Sequence, residues 1–136
     1  MTALLAAPSQ AAAEPPRTAA LWSTWENQHY ANQCLDGSVS QGVRLNTCNG
    51  GNYQTWTYFH GYSDQIQHSQ SGRCLDGSVS QGVRLVACNG GTYQKWYPDS
   101  STHEIRHGQS GRCLDGSISQ GVRLVVCNGG TYQKWN

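Results

Sequence analysis

The chain has 136 residues, with 9 Lys+Arg against 8 Asp+Glu, a net charge of +1 and only 12% charged residues. That is about half the charged share of ordinary soluble domains, so the polar surface must come from Ser, Gln, Asn, Thr and Gly. The near-neutral balance excludes the basic footprint that nucleic acid or an acidic membrane surface requires, and no apolar run is long enough to span a bilayer.

In chain order, residues 1–20 read MTALLAAPSQAAAEPPRTAA. A short apolar stretch from Ala3 to Ala7 and an Ala-x-Ala signal at residues 11–13 read as a partial signal peptide cleaved near Ala13. The other reading is a disordered Ala/Pro-rich tail. Residues 21–136 read as one domain of three units, at about 21–58, 59–97 and 98–136.

Each unit contains the same 23-residue cassette. It runs CLDGSVSQGVRLNTCNGGNYQTW from Cys34 to Trp56, CLDGSVSQGVRLVACNGGTYQKW from Cys74 to Trp96, and CLDGSISQGVRLVVCNGGTYQKW from Cys113 to Trp135. The second and third copies differ only at Val79/Ile118 and Ala87/Val126. A shared core explains repeated Cys, Leu, Val and Trp. Repeated Asp, Gln, Arg, Asn and Tyr call for three copies of one binding site.

Within a unit the pattern is strand and turn throughout. Ile66-Gln67-His68 and Ile105-Arg106-His107 are short strands, and Ser71-Gly72 and Ser110-Gly111 are turns. Arg-Cys-Leu-Asp is a strand, Asp-Gly-Ser with Ser-Gln-Gly is a polar loop, and Val-Arg-Leu alternates like a half-buried strand. Asn-Gly-Gly is a turn, and Tyr-Gln-x-Trp begins the last strand. That predicts about four strands per unit and twelve in all, with no helical period. Units of about 40 residues stack or close into rings. A closed three-fold ring fits best, because closure leaves no exposed strand edge.

The six cysteines recur as pairs 14 apart. Sequence alone allows 15 connectivities, but repetition favours Cys34–Cys48, Cys74–Cys88 and Cys113–Cys127, since bonds between unlike repeats would break the pattern. Each such loop of about 15 residues contributes roughly 3 kcal/mol. Bonds of this kind persist in oxidising compartments and point to a secreted protein. No CxxC pair exists, so no zinc or other cofactor is expected.

With Cys-Leu-Asp, Cys-Asn-Gly-Gly and Gln-x-Trp in register three times, the chain resembles ricin B-chain-like (R-type) lectins, and its wording is closer still to actinohivin-type actinomycete lectins. The resemblance covers nearly the whole chain after residue 20. It implies an all-β β-trefoil with pseudo-three-fold symmetry. It also implies that Asp36, Asp76 and Asp115 accept hydrogen bonds from sugar hydroxyls, as an ionised carboxylate can; the alternative is a turn-forming Asp-Gly. In actinohivin-like sites the matching Asn reaches the sugar, which points to Asn49, Asn89 and Asn128, unless these are turn residues only. Tyr53, Tyr93 and Tyr132 offer rings for sugar C–H faces and a phenol for a hydrogen bond; they could also be surface fillers. Gln54, Gln94 and Gln133 read as supports behind the Asp, and Trp56, Trp96 and Trp135 as core.

Two departures bear on specificity. The aromatic residue that plant R-type lectins carry two positions before the second Cys is replaced by Asn46, Val86 and Val125. The actinohivin-type Tyr four positions before that Cys is replaced by Arg44, Arg84 and Arg123. Arg offers a rigid fork of donors. Beside the Asp it would make an acceptor–donor pincer for vicinal diols, or it is a strand charge paired with that Asp. Polar Asn46 marks the first repeat as the weakest site.

These readings make the chain a multivalent lectin for neutral hexoses, galactose or L-rhamnose type, with one site per repeat. Its partners are glycans on cell surfaces or glycoproteins, and it acts as a monomer with neither nucleic acid nor membrane insertion. High-mannose glycans are the alternative ligand, and a trefoil protease inhibitor is the alternative of another class. An enzyme is not expected: a glycosidase needs two flanking carboxylates, and each cassette holds one. His103-Glu104-Ile105-Arg106-His107 matches HExxH, whose zinc chemistry needs a helix, but the segment reads as strand.

Overall fold

A computed structural model describes residues 20–136. The signal-like segment read at residues 1–20 lies outside the described residues but for Ala20. Eleven strands are formed among the described residues. Three hairpins carry the cassettes: β2 (Gln33–Ser38) with β3 (Gly42–Thr47), β6 (Cys74–Ser78) with β7 (Gly82–Val86), and β10 (Cys113–Ser117) with β11 (Gly121–Val125). Between them, β4 (Trp56–Phe59) pairs antiparallel with β1 (Ala20–Ser23) and β5 (Ile66–His68), and β8 (Trp96–Pro98) pairs with β9 (Ile105–His107).

The chain closes on itself. An antiparallel bridge joins Asn27 to Trp135, and the Gln28 N–H donates to the Lys134 carbonyl at 2.9 Å. The expected twelve strands are therefore eleven, one of which, β1, has no counterpart in the other repeats. At the closure, the first repeat's opening strand and the third repeat's last strand shrink to bridges. Three single-turn 3-10 segments at Asn52–Gln54, Thr92–Gln94 and Thr131–Gln133 are the other departure from the expected strands. Tyr-Gln lies in these turns, so the strand begins only at the Trp. The outcome is the three-fold β-trefoil.

The hairpins have one register. Leu faces Leu, Asp36 faces Arg44, and Ser38 faces Gly42; the other two hairpins repeat these pairs. Residues 39–41 make a three-residue turn, and the following Gly42 sits at φ 83°, the left-handed conformation that such turns require. Asp-Gly-Ser is therefore strand rather than loop, correcting the expectation. The reason is packing: a Cβ on Gly37 would lie 2.9 Å from Trp56 Cη2, and one on Gly77 would lie 2.9 Å from His107 Nε2 and 3.0 Å from Trp96 Cη2. Glycine is chosen there for close approach, not for a turn.

The core gathers one Trp and one Leu from each repeat: Trp56, Trp96 and Trp135 with Leu35, Leu75 and Leu114, all 3% exposed or less. Each indole N–H donates to the Leu carbonyl of its own repeat, Trp56 Nε1 to Leu35 O at 3.1 Å, Trp96 to Leu75 at 2.9 Å and Trp135 to Leu114 at 3.1 Å. The three disulfides lie within repeats, as repetition favoured, each with Cα atoms 5.0 Å apart.

Two fully buried histidines complete the core. His68 packs on Trp56 and His107 on Trp96, both with ring centroids 4.7 Å apart. Their Nε2 atoms meet the carbonyls of Tyr53 (3.0 Å) and Tyr93 (2.9 Å), so Nε2 must carry the proton. Their Nδ1 atoms accept from Ser71 and Ser110 at 2.8 Å. Burial lowers both imidazole pKa values below the usual 6.5, outweighing the nearby carbonyls and the carboxylates of Asp36 and Asp76. The unfolded chain then binds more protons as pH falls, so stability is full above about 6.5 and declines below it. Thermal melts at pH 7 and pH 5 should show a lower Tm in acid. The double substitution His68→Asn and His107→Asn should shrink that difference, and an unchanged difference would show that these histidines do not cause it.

Candidate functional site

The directly opposed Asp–Arg pair is the centre of each site. A three-residue turn makes Asp36 and Arg44 cross-strand neighbours in the hairpin, and such neighbours touch. Arg44 Nε donates to Asp36 Oδ1 at 3.1 Å, and the same distance recurs for Arg84–Asp76 and Arg123–Asp115. The Asp side chains are only 1–3% exposed and the Arg side chains 32–37%. The charge that sequence reading placed against a sugar is thus roofed by its arginine. Nε is spent on the carboxylate, and guanidinium carries five N–H donors, so four remain. In the second repeat one of these, on Nη1, meets Gln81 Oε1.

Behind each pair sits a fully buried glutamine. Gln54 Nε2 donates to Asp36 Oδ2 at 3.0 Å and to the Thr47 carbonyl at 2.9 Å, while its Oε1 accepts the Asn49 N–H at 2.8 Å. Gln94 repeats this with Asp76, Ala87 and Asn89, and Gln133 with Asp115, Val126 and Asn128. One amide therefore fixes the carboxylate and the Cys-Asn-Gly-Gly turn at once. Each glutamine thus lies behind the aspartate and bonds to it directly.

Asn49, Asn89 and Asn128 are exposed, and each Oδ1 accepts the N–H two residues on, at 2.8 Å to Gly51, Gly91 and Gly130. That is a side-chain-closed turn of the kind Asn favours. Tyr53, Tyr93 and Tyr132 are 45%, 46% and 39% exposed. Asn46, which sets the first repeat apart, approaches Asp36 Oδ2 with Nδ2 at 3.5 Å.

A shallow cleft of about 440 Å³ opens beside Tyr53. One wall is Ser38, Val39 and Ser40 of the first repeat; the other is Gln70, Ser71 and Arg73 of the second. The cleft thus spans two repeats. A separate cleft of about 410 Å³ is floored by Trp25, Tyr58, Ile105 and Trp135. It carries none of the repeated Asp–Arg–Asn–Tyr set, of which the first cleft is lined by Tyr53.

A family model describing the ricin-type beta-trefoil lectin domain matches residues 21–135. The chain belongs to that family. No curated relative matches the sequence at a significant level. Among solved structures, the family fold recurs in the hemolytic lectin CEL-III, at a TM-score of 0.71 and 23% identity over 84% of this chain and 29% of that one. A designed 3-fold symmetric protein, ThreeFoil, aligns at a TM-score of 0.69 and 26% identity, covering 84% of this chain and 95% of that one. A non-toxic homologue of type II RIPs from Momordica charantia, in complex with alpha-methyl-D-galactoside, aligns at a TM-score of 0.73 and 18% identity over 86% and 47%. The chain spans under a third of CEL-III and about half of the bitter gourd protein.

Sequence reasoning missed three contributors to this lectin-family site. Ser38, Ser78 and Ser117 cap the hairpin turns, each Oγ accepting an N–H at 3.1 Å from Gln41, Gln81 or Gln120. Their exact repetition was the available signal. His68 and His107 support the Tyr backbone from the following repeat, and Asn27 does so for Tyr132 by donating Nδ2 to its carbonyl at 3.0 Å. The HExxH segment is a different matter. Ile105–His107 is strand, His107 is buried against Trp96, and exposed His103 sits at φ 66° with Nδ1 3.3 Å from the Trp135 carbonyl. The two imidazoles share no helical face. Among the described residues no cluster of His, Cys, Asp and Glu could hold a metal ion.

Replacing Gln94 with Ala would strand a buried carboxylate oxygen, the Ala87 carbonyl and the Asn89 N–H together. Leaving buried polar groups unpaired costs about 1–3 kcal/mol each, and some will reach water, so a loss of about 3 kcal/mol in urea unfolding is expected for Gln94→Ala. A loss under about 1 kcal/mol would show that the amide does not hold the site together.

Proposed function

We propose that this protein is a secreted, multivalent lectin that binds neutral hexoses at three sites, one per repeat, without metal. The observation carrying this reading is the threefold recurrence of a buried Asp bonded to a one-third-exposed Arg beside an exposed Tyr. Each site offers what a sugar needs: an apolar ring for a C–H face, guanidinium and Asn Nδ2 donors for hydroxyls, and a carboxylate that accepts. The remaining Arg donors meet one hydroxyl. A neighbouring hydroxyl reaches Asp36, Asp76 or Asp115 when the arginine turns aside, which a partly exposed side chain can do. Galactose and L-rhamnose are the favoured ligands, and high-mannose glycans the second class.

One repeated carboxylate per site, rather than two flanking a bond, fits binding and not glycoside hydrolysis. The disulfides fit an oxidising, extracellular setting. Residues 21–136 then form a single lectin domain acting as a monomer on cell-surface glycans or glycoproteins. Three shallow sites on one rigid body gain avidity of about 10²–10⁴-fold on clustered glycans when geometry allows.

Calorimetry with alpha-methyl-D-galactoside, L-rhamnose and mannose should give three sites per chain for the preferred sugar, with EDTA leaving affinity unchanged. Loss of binding on chelation would remove the metal-free reading. Asp76→Ala should lower the stoichiometry by one and cut agglutination far more than affinity at the other two sites. Three titratable sites in that variant would sink the assignment of Asp76.

A further inference from the structure

We propose that the third site, around Tyr132, carries a second sugar subsite formed by Tyr30 and His29, so that it binds an oligosaccharide where the other two sites hold a single terminal sugar. This rests on the lectin reading and refines it.

The three-fold pattern breaks at this place. Asn27 takes the position of His68 and His107, since all three bond the carbonyl of the site Tyr. Asn32, at φ 63°, takes the position of Gly72 and Gly111, both at φ 72°. Between these markers the second and third repeats have three residues, Ser69, Gln70 and Ser71 or Gly108, Gln109 and Ser110, whereas the first has four, Gln28, His29, Tyr30 and Ala31. The insertion replaces a small polar wall with two rings.

The replacement is held in place. Asn27 Oδ1 accepts the His29 N–H at 3.0 Å and the Tyr30 N–H at 3.2 Å, so the asparagine that supports Tyr132 also shapes the turn. His29 Nδ1 lies 3.0 Å from Thr131 Oγ1, and its ring stands edge-on to Tyr132 with centroids 4.0 Å apart. The Tyr30 ring runs nearly parallel to Tyr132, at 21° and 5.7 Å between centroids. Tyr132 is nonetheless 39% exposed, little less than the 45% and 46% of Tyr53 and Tyr93. The added rings therefore extend the aromatic surface rather than cover it. At Tyr53 the corresponding wall is Gln70, Ser71 and Arg73, which supply hydrogen bonds but no ring.

Pyranose C–H faces pack on aromatic rings, and successive sugars in a chain present successive faces. A terminal hexose on Tyr132 and Arg123 would place its neighbour over Tyr30. The wall at Tyr53 offers that neighbour no ring. At Tyr93 the Tyr97 ring lies against the wall residue Gly108, whereas at the third site Tyr30 runs parallel to the site tyrosine itself, so the third site should discriminate most between a free sugar and a sugar within a chain.

The test titrates the full chain, followed by amide NMR, with galactose, L-rhamnose and mannose. Each is offered as its methyl glycoside and as the terminal residue of a disaccharide. For whichever sugar binds, the disaccharide should be favoured about three- to tenfold at the third site, the range one aromatic contact supplies, and less than about twofold at the other two. Tyr30→Ala should erase that preference and leave the sites at Tyr53 and Tyr93 unchanged, while Tyr30→Phe, which keeps the ring, should retain most of it. An equal preference at all three sites, or one that survives Tyr30→Ala, overturns the subsite and leaves the lectin reading standing. Absence of binding by every sugar in both forms defeats the lectin reading and the subsite with it.

Discussion

A carboxylate enclosed to within a few per cent of full burial must be paired, because an uncompensated buried charge is far costlier than any surface contact. Three such carboxylates, Asp36, Asp76 and Asp115, set the local design of this molecule. Each takes an arginine from the facing strand and an amide from a glutamine 18 residues on. The glutamine can deliver that amide only if the Cys-Asn-Gly-Gly turn folds back over it, and the turn is anchored by the glutamine's own oxygen and by the disulfide. Hairpin register, turn and cystine are thus constrained by one buried ion pair. The same constraint gives the surface its character: each arginine is bonded at Nε to the buried carboxylate and about one-third exposed, so its remaining donors lie at the surface above the aspartate.

The repeats are not self-sufficient. Each site Tyr has its carbonyl bonded by a residue from the next repeat round the ring, and one wall of the cleft at Tyr53 belongs to that next repeat. A single unit would leave these groups unpaired and its Trp without a lid. Closure therefore completes the sites as well as the core. The closing contact is also where symmetry yields. Asn27 stands in for a histidine, the pairing strands contract to bridges, and an inserted residue admits His29 and Tyr30. The repeat that begins the chain is thereby the one that modifies the site ending it.

Much of this was legible in the residues. Repetition identified the three units, the within-repeat cystines and the polar set worth attention. Ile66–His68 and Ile105–His107 are the short strands read from the sequence, and Gln54, Gln94 and Gln133, singled out there by repetition, bond the Asp. One failure shows its cause plainly. Asp-Gly-Ser reads as a turn on local preference, yet runs as strand because Trp56, Trp96 and Trp135 press against the missing Cβ. Local preference is a weak prior that tertiary packing overrides.

Sequence by itself determined what repeats: a period near 40 residues, identical polar positions and fixed cysteine spacing are properties of order along the chain, and pattern is enough to read them. Only the tertiary structure decided how deeply the aspartates are buried, that the arginines roof them, and that Asn27 completes the set of His68 and His107. It also decided that Asn27 and Tyr132, 105 positions apart, meet across the closure. The first two of these facts depend on how each hairpin packs in three dimensions, and the last on a contact between distant segments that forms once, at the closure, where no period in the order of residues can signal it.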